Sequence, residues 1–155
     1  YKRQSLVGGF NMTKKFTFLE HMADAYIEAY GDTLEELFEN AAIAMFEVMT
    51  DTSKVSPIEV RNVEAEGFDL ESLLYRWLEE WLIIRDSENM VFSKFKVKKI
   101  AKVGEDQYVI EGLGWGEKFN PRVHEVRTEV KAVTYHMMEI KQENRRWIAR
   151  FLLDI

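Results

Sequence analysis

The chain contains no cysteine. Disulfide frameworks and thiolate metal sites are therefore excluded, and the composition suits a reducing, cytoplasmic setting. Two prolines and eight glycines are spread over 155 residues, so little of the chain is linker. No apolar run approaches the ~18–20 residues of a membrane-spanning helix. The opening stretch YKRQSLVGGFNM lacks the long apolar segment of a secretory signal. There is no G-x-S-x-G and no Walker-type glycine loop, so the usual signatures of acyl and phosphoryl transfer are missing. The net charge of -6 disfavours a protein that coats RNA or DNA, because nonspecific affinity comes from neutralising phosphates. Any RNA contact is expected to be indirect or weak, and no membrane contact is expected.

What is present is an ordinary globular balance, 46% apolar and 31% charged, with 13% aromatic residues to fill a core. The length suits one domain. Residues 1–12 are expected to be an upstream extension or an expression remnant, and residues 13–155 a single domain.

Two helices stand out. In DTLEELFENAAIAMFEVMTD, Thr33 is placed to cap and Glu36 follows at capping-box spacing. Leu37, Phe38, Ala41, Ala42, Met45 and Phe46 then fall on one stripe. In DLESLLYRWLEEWLII, Asp69 caps a face of Leu73, Leu74, Trp77, Leu78 and Trp81. Elsewhere the period is two. FTFL and AYIEAY read as strands around a polar knot, and VSPIEVRNVEAEG, with Pro57, as an edge strand. MVFSKFKVKKIAKV, QYVIEGLGWGE, HEVRTEVKAVTYHMMEIKQ and RWIARFLLDI follow, with a turn at Glu143-Asn144. GLGWG is expected to be a turn or bulge, and no internal repeat is evident. The fold class is α+β: a mostly antiparallel sheet with two amphipathic helices packed on one face.

The candidate chemistry is sparse. The knot Glu20-His21-Met22-Ala23-Asp24 puts carboxylates and an imidazole where a plain hairpin would use Asn-Gly. The chain closes on FLLDI, so Asp154 and the α-carboxylate of Ile155 are two anionic groups ending an apolar strand. Buried without compensation they would be costly, and a hard cation with oxygen ligands would resolve that cost. His21, His124 and His136 lack zinc-motif spacing, and His136 reads as a half-buried strand histidine. Lys94, Lys96 and Lys98 alternate with Phe95 and Val97, which makes a solvated strand face.

Several stretches together resemble the archease family: EHMADAYIEAYGDTLEELFENAAIAMFEVMTD, DLESLLYRWLEEWL, VFSKFKV, GEKFNPRVHEVRTEVKAVTYH and FLLDI, in that order. The resemblance implies an accessory protein, not an enzyme, that assists an RtcB-type RNA ligase in tRNA splicing. It would promote guanylylation of the ligase and its multiple turnover. It also implies a chaperone-like role toward a tRNA methyltransferase, and a bound divalent cation, Ca²⁺ first, with Mg²⁺ or Mn²⁺ as alternatives. The implied metal ligands are Asp24, Asp154 and Ile155. Glu20, His21, Lys131 and His136 lie in matching blocks as supporting or partner-contact residues. Met22 stands where the family often has threonine. A metal-dependent phosphoester hydrolase using the same cluster is the rival reading.

Overall fold

A computed structural model describes residues 14–19 and 24–155. Among these the chain order is β1 (Phe16–Leu19), β2 (Asp24–Gly31), α1 (Leu34–Met49), β3 (Glu59–Gly67), α2 (Leu70–Glu88), β4 (Met90–Gly104), β5 (Gln107–Lys118), β6 (Ala132–Glu143) and β7 (Arg146–Asp154). The expected α+β class holds. The strands divide into two antiparallel sheets, ordered β1-β2-β7-β6 and β3-β5-β4, where the sequence pattern suggested one. Each helix touches both: α1 packs on β2 and β4, α2 on β3 and β6. One core joins them, built on Ile27, Phe38, Phe46, Trp77, Trp81, Phe92 and Phe151. Among the described residues no helix is long and apolar enough to cross a membrane.

Both helices start by the same local device. The Thr33 hydroxyl accepts from the Glu36 N–H at 3.1 Å, and the Glu36 carboxylate reaches back to the Asp32 N–H at 3.0 Å. At α2, Asp69 Oδ1 accepts from the Ser72 N–H at 2.7 Å, and Ser72 closes the capping box on the Asp69 N–H. Two residues before each cap stands a glycine. A Cβ on Gly31 would lie 2.4 Å from Leu37 N, and one on Gly67 would lie 2.4 Å from Leu73 N. The strand-glycine-cap-helix unit therefore occurs twice at matching positions, a short structural repeat that differing side chains conceal.

The GLGWG stretch is not a turn. It lies inside β5, the central strand of the smaller sheet. A Cβ on Gly112 would sit 2.6 Å from Trp77 Cη2, and one on Gly114 2.6 Å from Trp81 Cη2. Bare backbone at alternate positions is what lets the benzo edges of two indoles, set at 86° to each other, come down onto the strand. Trp77 Nε1–H also donates to the Phe38 carbonyl at 3.0 Å, tying α2 to α1.

The expected strand HEVRTEVKAVTYH begins only at Ala132. The residues before it form a loop, because their polar groups close elsewhere. The N–H groups of Arg127 and Thr128 donate to the Met49 and Val48 carbonyls at the end of α1, both at 3.1 Å. Arg127 Nη1 adds bonds to the Glu47 and Thr50 carbonyls at 2.8 and 3.1 Å. A cation on the last carbonyls of a helix is favoured by their aligned dipoles.

Candidate functional site

The site builds from strand register. In the β2–β7 ladder Asp24 stands directly opposite Asp154, Tyr26 opposite Leu152 and Glu28 opposite Arg150. Side chains alternate along a strand, so positions 24, 26 and 28 share the face away from Ala25, Ile27 and Ala29, which are core. Two contrasting pairs thus occupy one face, an opposite-charge pair at 28/150 and a like-charge pair at 24/154.

The opposite-charge pair locks the register. Arg150 Nε donates to Glu28 Oε2 at 2.5 Å, and the Tyr30 hydroxyl donates to Glu28 Oε1 at 2.5 Å. With the Tyr30 proton so used, the Thr17 hydroxyl donates to Tyr30 Oη at 2.9 Å. Burial opposes the charge on Glu28, but the bonds from Tyr30 and Arg150 outweigh it and hold its pKa below the ordinary carboxylate value. Burial first, then the bond to Glu28, push the Tyr30 phenol up to about 12. The chain Thr17–Tyr30–Glu28–Arg150 links β1, β2 and β7. A one-residue slip of β7 along β2 would break the Glu28–Arg150 bond and turn the apolar side chains of β7 away from the core, and the register so held sets Asp24 opposite Asp154.

At the carboxylate end a third strand joins. Ala132 of β6 is opposite Asp154 on its other side, and the Lys131 N–H donates to the Asp154 carbonyl at 2.7 Å. The preceding residue, Val130, is fully buried, and its carbonyl accepts from Arg85 Nη2 at 2.7 Å. Lys131 is therefore positioned from both sides. Asp24 is half-buried and Asp154 exposed. Ile155 is half-buried with its side chain against the core. The expected site residues Asp24, Asp154, Ile155 and Lys131 thus meet at one end of one sheet. Glu20 and His21 lie outside the described residues.

Among the described residues no three His, Asp or Glu side chains group as a metal cluster. The pair 24/154 contributes two carboxylates, and a cation there would draw its other oxygens from the chain end and from backbone carbonyls. That donor set is all oxygen, which fits a hard cation and not zinc.

His136 is not a half-buried strand residue. Between the pairs Thr134/Leu152 and Glu139/Arg150, β6 carries four residues against Phe151 alone. His136 is exposed on this bulge, whose next residue, Met137, has φ 64°. His124 is 2% exposed and fully engaged. Its Nδ1 accepts from the Asn120 N–H at 2.9 Å, so Nε2 carries the proton that it gives to Glu117 at 2.8 Å. Both ring nitrogens brace the loop before β6. Lys94, Lys96 and Lys98 are exposed on the edge strand β4 while Phe95 and Val97 are buried, as expected. Sequence reasoning passed over Arg85 and Arg127, the two cations that seat the loop leading to Lys131. In the sequence Arg85 reads only as a charge at the end of a helical stripe and Arg127 only as a charge within an alternating run.

These features define a class: a small α+β protein with an acidic strand-end pair and no catalytic constellation among its described residues. The model of the Archease protein family (MTH1598/TM1083) matches residues 16–155. Protein archease of Sulfurisphaera tokodaii is 55% identical over 142 residues, covering 92% of this chain and 99% of its own. Protein archease of Saccharolobus islandicus is 51% identical with the same coverage. The solution structure of Methanobacterium thermoautotrophicum protein 1598 superposes with a TM-score of 0.79 at 53% identity, covering 90% of this chain and 98% of that one. The crystal structure of a Thermotoga maritima archease, described as a possible chaperone, shares the fold at a TM-score of 0.51 and 20% identity, covering 95% of this chain and all of that one. The chain belongs to the archease family.

Proposed function

We propose that this chain is an accessory protein, not an enzyme, and that it activates an RtcB-type RNA ligase in tRNA splicing by promoting guanylylation of the ligase and its multiple turnover. The observation that supports this reading is the register pair Asp24/Asp154, two acidic residues that the β2–β7 ladder sets opposite each other at the end of the sheet. Asp24, Asp154 and the Ile155 α-carboxylate would hold a divalent cation, Ca²⁺ first, with Mg²⁺ or Mn²⁺ as alternatives. Such a cation would supply positive charge for phosphate oxygens when the protein docks on its partner, where phosphoryl transfer gains from positioning and charge neutralisation.

The protein's own residues supply the placement. The Glu28–Arg150 pair sets the register, the Lys131 N–H holds the Asp154 backbone, and the Ile155 side chain anchors the chain end. Lys131 and His136 are exposed and lie on β6 or just before it, and we assign them, with Glu20 and His21, to partner contact. The proposed location is the cytoplasm, where tRNA ligation operates. The test is covalent labelling of the ligase by GMP in the presence of GTP and a divalent ion. The wild-type chain should stimulate labelling, and the Asp24→Asn and Asp154→Asn variants should not. Full stimulation by both variants overturns the reading.

A second reading is a chaperone for a protein client such as a tRNA methyltransferase, favoured by the description of the Thermotoga maritima archease. It separates cleanly from the first. Protection of a client from aggregation should survive loss of the Asp24/Asp154 pair.

A further inference from the structure

The bulge in β6, which also carries His136, builds a surface apart from the Asp24/Asp154 rung. Four residues, Tyr135 to Met138, are looped out against Phe151 alone, and Met137 takes a left-handed φ of 64°. For a residue with a Cβ that conformation costs about 1–2 kcal/mol, so the surrounding structure must enforce it. What it achieves is exposure. Tyr135 is 44% and Met137 49% exposed on the bulge, and the Tyr135 ring lies beside Phe68, which is 59% exposed just before α2. The rings form one cluster. Tyr135 is 6.5 Å from Phe68 and 5.8 Å from Tyr75, edge to face in both cases. Exposed aromatic and methionine side chains gathered in one place mark interaction surfaces more often than scattered ones do.

The electrostatics say what kind. The Tyr135 phenol is raised, by burial first and then by the carboxylates of Asp69 and Glu71. Glu71 Oε2 accepts from the Ile140 N–H at 3.2 Å, which holds α2 against the far side of the bulge. Tyr75 donates its hydroxyl to Glu79 at 2.9 Å. The nearby cation on this helix, Arg76, is engaged by Glu79 and Glu80. Ring faces carry negative potential, and here carboxylates ring them. Phosphate would be repelled by this rim, which argues against nucleic acid as the occupant.

We propose that the Phe68–Tyr75–Tyr135–Met137 patch is a docking surface for an arginine side chain presented by a basic protein partner. The guanidinium would stack on the exposed rings and be drawn in by Asp69 and Glu71. Proteins that handle RNA present such arginines on their surfaces. The surface is independent of the Asp24/Asp154 pair, so each can fail without the other.

The experiment is a titration followed by NMR of the Met137 methyl and the ring protons of Phe68, Tyr75 and Tyr135. The probes are a blocked Gly-Arg-Gly peptide, its neutral citrulline isostere and a short oligouridylate. The arginine peptide should give saturable shifts confined to these four residues. Citrulline should bind about tenfold more weakly, since it keeps the shape and loses the charge. Tyr135→Ala and Phe68→Ala, both at exposed positions, should keep the fold and abolish the shifts. Equal response to arginine and citrulline would overturn the proposal. So would shifts centred on Asp24 and Asp154, a response to oligouridylate at the patch, or concentration-dependent shifts there without any probe, which would mark self-association.

Discussion

Asp24 and Asp154, at opposite ends of the described fold in sequence, face each other across one rung of the β2–β7 ladder. Two rungs along the same face, Glu28 and Arg150 form an opposite-charge pair at 2.5 Å. Both belong to one register. The register between β2 and β7 is held by the eight-residue ladder and its buried face, and the Glu28–Arg150 bond adds a charge-assisted link across it. On the proposed reading, a cation between the two aspartates would make this rung a binding site.

Removing the lock should therefore loosen the site from a distance. Glu28→Gln loses a charge-assisted bond to Arg150, and such bonds contribute roughly 1.5–3 kcal/mol each. Urea denaturation should show a loss of that order, and cation affinity should fall with it although no ligand has changed. Unchanged affinity in Glu28→Gln would separate the register lock from the site.

Acid should act on the same group. The folded-state pKa of Glu28 lies below its ordinary value of 4.5, because the bonds from Tyr30 and Arg150 outweigh burial. The native state then releases this proton more readily than the unfolded chain does. Its contribution is present above the unfolded pKa and disappears as pH falls through the folded one. Chemical denaturation from pH 6 down to pH 3 should show stability falling, and the Glu28→Gln variant should show a shallower slope over the same interval.

The glycines of β5 make a packing prediction. Gly114→Ala places a Cβ within 2.6 Å of Trp81 Cη2 and 3.0 Å of Phe95 Cε1. Overpacking of this kind costs typically 1–3 kcal/mol. A lowered denaturation midpoint with an altered near-UV tryptophan signal is expected. A midpoint equal to wild type would mean the indoles give way freely.

The chain end gives the fourth. Residues appended after Ile155 convert its α-carboxylate into an amide and remove one charge from the proposed donor set. Calorimetry should show weaker binding of Ca²⁺ by a C-terminally extended chain than by an N-terminally extended one. Equal binding would assign Ile155 a packing role alone, consistent with its side chain on the core.

How far the sequence carried differs from element to element. The helices were legible because their starts are local chemistry: Thr33 with Glu36, and Asp69 before an apolar stripe. The final turn was legible to within one residue: expected at Glu143-Asn144, it falls on Asn144 and Arg145, which take the positive φ that two-residue hairpins need, while Glu143 still pairs with Arg146. The division into two sheets was not, because alternation along a strand tells which face is buried and nothing about which strand lies alongside. The β6 start was misplaced for a related reason. The residues around Arg127 alternate well, yet a helix end competes for their hydrogen bonds and wins. Gly112 and Gly114 read as a turn until Trp77 and Trp81 explained them. For the candidate site, carboxylate chemistry at both ends of the chain nominated Asp24 and Asp154, and register, which no composition reveals, put them opposite each other. The bulge that exposes His136 left no trace in the period-two pattern. Glu20 and His21 fall outside the described residues.

The most direct test of the central claim is calorimetric titration of Ca²⁺ into the wild-type chain and into Asp24→Asn and Asp154→Asn. Asp154 is exposed and its replacement by Asn is isosteric, so the stability of Asp154→Asn should stay within about 0.5 kcal/mol of wild type. The account predicts saturable binding by the wild type and its loss in each variant alone, because two facing carboxylates act as one site. Binding of the wild type that survives unchanged in both variants would contradict it.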